Sequence, residues 1–164
     1  MLKLTGGALI IISCSMIGKY IGLDYLKKLR LHEKLLQMYN ETTVLLEYSY
    51  MTFDEIITSL NNSSAFEQLD FLCICAHDIN IRCNLLDKIE CWDKIDNVES
   101  KDNLRDFFSK LGTTDNSGQI TYSRLAAERE KDIIDRCKGE MMRRSKLASS
   151  IGFSTGILLT IMLI

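Results

Sequence analysis

An all-α fold, a helical bundle between an N-terminal and a C-terminal transmembrane helix, follows from three observations. The 164 residues contain no proline, and between residues 24 and 146 glycine occurs only at Gly112, Gly118 and Gly139. Leu, Lys, Glu, Met and Gln recur at helical spacing, and few stretches alternate with a period of two. The chain is apolar at both ends and charged between them: Leu4 to Gly18 and Leu147 to Ile164 carry no charged side chain.

Residues 4–23 are read as the first membrane helix. Lys19 lies near its inner end, where a lysine can reach the headgroups, and Tyr20 and Tyr25 fit the interface. Residues 147–164 form the second. Eighteen residues rise about 27 Å, close to a hydrocarbon core of about 30 Å. Leu147, Ile151, Phe153, Ile157, Leu158, Leu159, Ile161, Met162, Leu163 and Ile164 outweigh the interspersed Ser, Thr and Gly. Basic residues flank the middle region on both sides: Lys19, Lys27, Lys28, Arg30 and Lys34, then Arg143, Arg144 and Lys146. Such residues stay on the cytoplasmic side, so residues 24–146 are expected in the cytoplasm with the lipid bilayer as a partner. The net charge of −2 leaves these flanks local and gives no nucleic-acid-binding composition.

Both apolar segments carry small residues at a spacing of four: Cys14, Gly18 and Gly22, then Ala148, Gly152, Gly156 and Thr160. Small residues let helix backbones approach closely in lipid, so Gly18, Gly22, Gly152 and Gly156 are candidate membrane-packing residues. Glycine is also simply common in membrane helices. Ile11-Ile12-Ser13-Cys14 is a competing signal. It looks like a lipoprotein cleavage box with Cys14 as the lipidated residue, but the positive charge from Lys19 to Lys34 opposes export.

The first helix is predicted to run on to Tyr50, with Leu26, Leu29, Leu35, Leu36, Tyr39, Leu45 and Leu46 on its apolar face. His32, among charges, reads as solvated. Thr52 and Glu55 form a capping box for a short helix to about Leu60. Asn61 to Ser64 is a turn, and Ala65 to Asp78 is expected as the most buried helix. Another helix covers Cys83 to Ile95. Ser100 is expected to cap the next, which ends at Leu111 with Gly112 as a left-handed C-cap. The last helix begins near Gln119. Ile120, Ala127, Ile134, Met141 and Ala148 recur every seven residues along it, a coiled-coil-like stripe suited to antiparallel pairing with the first helix.

The sequence offers little chemistry. Thr113 to Arg124 resembles a calcium loop only at its glycine, since Thr113 and Arg124 stand where carboxylates are required. Cys73 and His77 share a helical face, but Cys73, Cys75, Cys83, Cys91 and Cys137 include no Cys-x-x-Cys pair. No catalytic, cofactor-binding or metal-binding residues are assigned, and a non-enzymatic role is expected.

Three segments bear a family resemblance: Met1-Leu2-Lys3-Leu4 with its apolar run, Leu45-Leu46-Glu47-Tyr48-Ser49-Tyr50, and Phe108-Ser109-Lys110-Leu111-Gly112-Thr113-Thr114-Asp115 with Gln119 beyond. Together they resemble the stage III sporulation protein AB family. The family tends to place Thr-Pro-Leu after its tyrosine-containing segment, whereas Thr52 is followed by Phe53 here. The resemblance implies a mother-cell membrane protein around the forespore, in a channel or secretion-like complex. It also implies partners: other membrane subunits and a secretion-type ATPase, stage III sporulation protein AA, on the cytoplasmic side. The turn at Leu111, Gly112 and Asp115 is a candidate docking edge, or simply a helix stop followed by a cap. A two-anchor adaptor or signalling protein outside sporulation is the alternative reading.

Overall fold

The computed structural model describes residues 2–49, 51–73 and 81–163. Five α-helices account for most of them: α1 (Leu2–Ser49), α2 (Phe53–Asn62), α3 (Ile81–Glu90), α4 (Val98–Lys110) and α5 (Asn116–Leu163). Two 3₁₀ turns, Ser64–Phe66 and Asp70–Leu72, lie between α2 and α3. No strand occurs among the described residues. The chain divides into two compact units, residues 1–29 with 136–164, and residues 30–135.

In the larger unit, α1 turns a regular face inward. Leu31, Leu35, Met38, Tyr39, Thr42, Thr43 and Leu46 are buried at alternating steps of three and four with doubled positions, as one helical face requires. The heptad-like stripe of α5 points inward as expected: Ala126, Ala127, Ile133 and Ile134 are buried and Ile120 is half-buried. Thr43 Oγ1 and Ser123 Oγ lie 2.8 Å apart, and Asn116 Nδ2 donates to the Leu46 carbonyl. These two contacts show α1 and α5 to be antiparallel: rising numbers on one helix meet falling numbers on the other.

The remaining core is aromatic. Phe107 meets Tyr39 and Phe108 edge-on at centroid distances of 4.9 Å, and Phe71 meets Trp92 at 4.8 Å. Such edge-to-face pairs place a positive ring edge against a negative face. The Tyr39 hydroxyl has no hydrogen-bond partner among the described residues. Burial, and to a lesser degree the Glu130 charge, pushes its pKa well above the ordinary phenol value, so the ring stays neutral.

Several local expectations hold. The Glu55 carboxylate accepts from the Thr52 backbone N–H at 2.8 Å and its hydroxyl at 2.9 Å, and these bonds hold its pKa below the usual value. Others need correction. Residues 65–73 form two 3₁₀ turns and not an α-helix, although Phe66, Leu69, Phe71 and Leu72 are deeply buried. The rest of that expected helix, 74–78, lies outside the described residues, as do Cys75 and His77. Helix α3 stops at Glu90, and Trp92 and Ile95 enter the core from the connection that follows. Helix α4 is capped by Asn97, whose side-chain oxygen accepts from the N–H groups of Glu99 (2.9 Å) and Ser100 (3.3 Å). Ser100 is the third residue of the helix, and its hydroxyl is used elsewhere.

Helices α1 and α5 are both long and apolar enough to cross a membrane by length and composition. Only 11% and 6% of their most apolar stretches are buried, which separates them from the core helices of a soluble protein.

Candidate functional site

Four of the residues singled out in the sequence meet in the smaller unit. A methyl group on Gly18 would lie 2.7 Å from the Ala148 carbonyl oxygen and 3.0 Å from Gly152 Cα. On Gly152 it would lie 2.7 Å from the Cys14 carbonyl oxygen and 2.9 Å from Gly18 Cα. On Gly22 it would meet the Ser145 carbonyl oxygen at 2.9 Å, and on Gly156, Ile11 Cα at 3.0 Å. All four hydrogens therefore face backbone atoms of the opposite helix. The seam allows an approach that any larger side chain would prevent. By contrast, a methyl on Gly6 or Gly139 would meet nothing within 4 Å.

The faces away from the seam are apolar and open. Leu9, Met16, Ile17, Tyr20, Ile151, Leu158, Ile161 and Met162 are all exposed. A continuous apolar surface of this kind needs lipid or another protein against it. The glycines are used within the chain, so these outer faces take no part in the seam.

The turn after α4 belongs to the larger unit. Gly112 has φ of +76°, a conformation that favours glycine, as its expected C-cap role requires. Its N–H donates to Gln119 Oε1 at 3.0 Å, while Gln119 Nε2 donates to the Thr114 carbonyl at 2.9 Å. Leu111 is buried, and its carbonyl accepts from Arg82 Nη2 at 2.6 Å. The Arg82 guanidinium also stacks over Phe53 at 4.7 Å. Asp115 starts α5: its carbonyl accepts from the Gln119 N–H, and its carboxylate accepts from the Ser117 hydroxyl. Leu111, Gly112 and Asp115 thus share one turn, in which Gln119 ties the stop of α4 to the start of α5. Residues 113–115 are exposed, so the turn presents an edge as well as fixing a hairpin.

A second polar centre was missed in the sequence. His32 is buried, not solvated as expected, and its Nδ1 lies 2.7 Å from Glu130 Oε1. Glu130 is fully buried, and Ser100 Oγ lies 2.8 Å from both of its carboxylate oxygens. The signal was available. His32 falls three residues after Leu29 and three before Leu35, and Glu130 three after Ala127, so both sit within apolar stripes. The hydroxyl of Ser100 and the ring of His32 converge on one carboxylate. That arrangement holds a buried charge in place and ties α1, α4 and α5 to one point.

No group of three or more metal-ligating side chains occurs among the described residues. No curated protein and no solved structure matches the chain. One family model does match, the stage III sporulation protein AB family, over residues 3–164. That match takes in both apolar ends, the glycine seam and the Gly112 turn. The chain therefore belongs to the stage III sporulation protein AB family and is a sporulation-related protein.

Proposed function

We propose that the protein is a non-enzymatic, membrane-anchored platform subunit of a sporulation-specific channel or secretion-like complex needed for forespore maturation. In this reading both ends cross the mother-cell membrane around the forespore, and residues 24–146 face the mother-cell cytoplasm. Its partners are other membrane subunits of the complex, which meet the open faces of α1 and α5. A cytoplasmic secretion-type ATPase, such as stage III sporulation protein AA, would approach the helical unit. The family match over almost the whole chain carries this reading.

Three features support it. Two exposed apolar helices suit two anchors. Basic residues on the middle-region side of both suit a cytoplasmic domain. The glycine seam closes the two anchors on each other and places Cys14 at a backbone contact, which suits a membrane hairpin better than a lipidated, exported terminus.

Deletion of the gene in the source organism tests the proposal. Cells should grow normally and engulf the forespore, yet yield few heat-resistant spores, with forespores arrested after engulfment under the microscope. Normal yields of heat-resistant spores would contradict it.

A further inference from the structure

In the smaller unit, the face of α5 turned away from the glycine seam holds a trough of about 450 Å³. Gly139, Met142, Arg143, Lys146, Leu147 and Ser150 line it. These positions follow the three-and-four spacing of one helical face. All but Gly139 and Ser150 carry long side chains that can wall a groove.

The charges in the trough are unmatched. Arg143 and Lys146 make no ion pair with another described residue, whereas their neighbour Arg144 is held by Glu140 at 2.5 Å. Beyond the two cations the same face turns apolar. Leu147, Ile151, Leu158 and Ile161 are exposed in sequence along it.

Gly139 opens the trough at its other end. A methyl group there would meet nothing within 4 Å, so helix packing does not account for this glycine. A glycine inside a helix costs about 1 kcal/mol relative to alanine.

We propose that this trough binds an anionic phospholipid, with the headgroup phosphate between Arg143 and Lys146 and an acyl chain along Leu147, Ile151 and Leu158. This inference rests on the membrane reading above. Two unpaired cations at the edge of an apolar strip match a phosphodiester joined to a hydrocarbon chain, and neither part alone would fill the face. The occupant is a lipid from the leaflet facing the cytoplasm, where the positively charged flanks lie.

The full chain is inserted into vesicles of phosphatidylcholine with phosphatidylglycerol, and the lipids that stay bound are counted by native mass spectrometry. Phosphatidylglycerol should be enriched over phosphatidylcholine by about fivefold or more, the scale of one cation near an anionic surface. Arg143→Gln should abolish the enrichment. So should Gly139→Leu, which fills the trough and leaves every charge in place. Arg144→Gln removes the same charge next to the trough and should leave the enrichment intact, as should Gly139→Ala. Equal losses from Arg143→Gln and Arg144→Gln would overturn the site in favour of diffuse charge attraction. So would full retention in Gly139→Leu. An alkaline carbonate wash separates the two levels of the account. A wild-type chain that stays in the membrane without enrichment overturns the site alone. A chain that washes off overturns the membrane reading and the site with it.

Discussion

Replacing Glu130 with alanine should destabilise the larger unit by about 3 kcal/mol or more, since each of the two buried polar groups left without its partner costs about 1–3 kcal/mol. Glu130 is fully buried, with His32 Nδ1 at 2.7 Å and Ser100 Oγ at 2.8 Å. Alanine leaves a cavity and two polar groups whose common partner is gone. The cost comes mainly from those orphaned groups, because burying an unpaired polar group loses its hydration with no return. Replacing all three with apolar residues, as His32→Leu, Ser100→Ala and Glu130→Leu together, should therefore cost much less than the sum of the single changes. Thermal and denaturant unfolding of the full chain in detergent, followed by helical circular dichroism, measures both. A Glu130→Ala change within about 0.5 kcal/mol of the wild type would place the carboxylate in water and contradict the packing described.

Placing leucine at Gly152 should open the helical hairpin of the smaller unit. The first carbon of that side chain would already lie 2.7 Å from the Cys14 carbonyl oxygen and 2.9 Å from Gly18 Cα. Both are backbone atoms, so relief requires moving a helix and not rotating a side chain. Overpacking of this kind costs about 1–3 kcal/mol. The seam supplies its own reporter. A β-carbon at position 156 would lie 3.2 Å from Cys14 Cβ. That is within a few tenths of an ångström of disulfide spacing. With the other five cysteines changed to serine, Gly156→Cys should form an intrachain disulfide with Cys14 on mild oxidation, visible as faster migration on a non-reducing gel. Adding Gly152→Leu should lower the yield about tenfold, in line with that cost. A disulfide-linked dimer in place of the intrachain species would show that the seam joins two chains.

These two effects mark the boundary of what the residues disclosed. The close approach of the two helices was legible because it leaves a local signature: Gly18, Gly22, Gly152 and Gly156 mark it by size and spacing. The Thr52–Glu55 box and the Gly112 stop were legible for the same reason, since a cap is specified within a few residues. The pairing of His32 with Glu130 spans 98 positions. Each residue, taken alone, reads as a charge on a solvated helix, and only their places in the Leu29–Leu35 and Ala127–Ile134 stripes hint otherwise.

Asn97 and Ser100 illustrate a related ambiguity. Both residue types cap helices, and what decides between them is the distant demand of Glu130 for the serine hydroxyl. The segment from Ala65 was misread for another reason. Phe66, Leu69 and Leu72 are buried at steps of three while Glu67, Gln68 and Asp70 are exposed, a pattern that 3₁₀ turns and one face of an α-helix share over so short a stretch.

The family match fits this picture of a chain whose informative residues serve packing. The outer apolar faces and the turn at residues 113–115 remain exposed. Loss of the Glu130 network should therefore weaken the unit that presents the turn, and loss of the glycine seam should disorder the apolar surface of the smaller unit.

The topology is the most direct test of the account, and native cysteines make it accessible. Cys83 and Cys91 are exposed on the larger unit. With the chain expressed in a growing bacterial cell, whose membrane faces the medium, a membrane-impermeant thiol reagent should leave both unlabelled until the membrane is permeabilised. Labelling of Cys83 and Cys91 in intact cells would put the helical unit on the outer face and contradict the cytoplasmic platform.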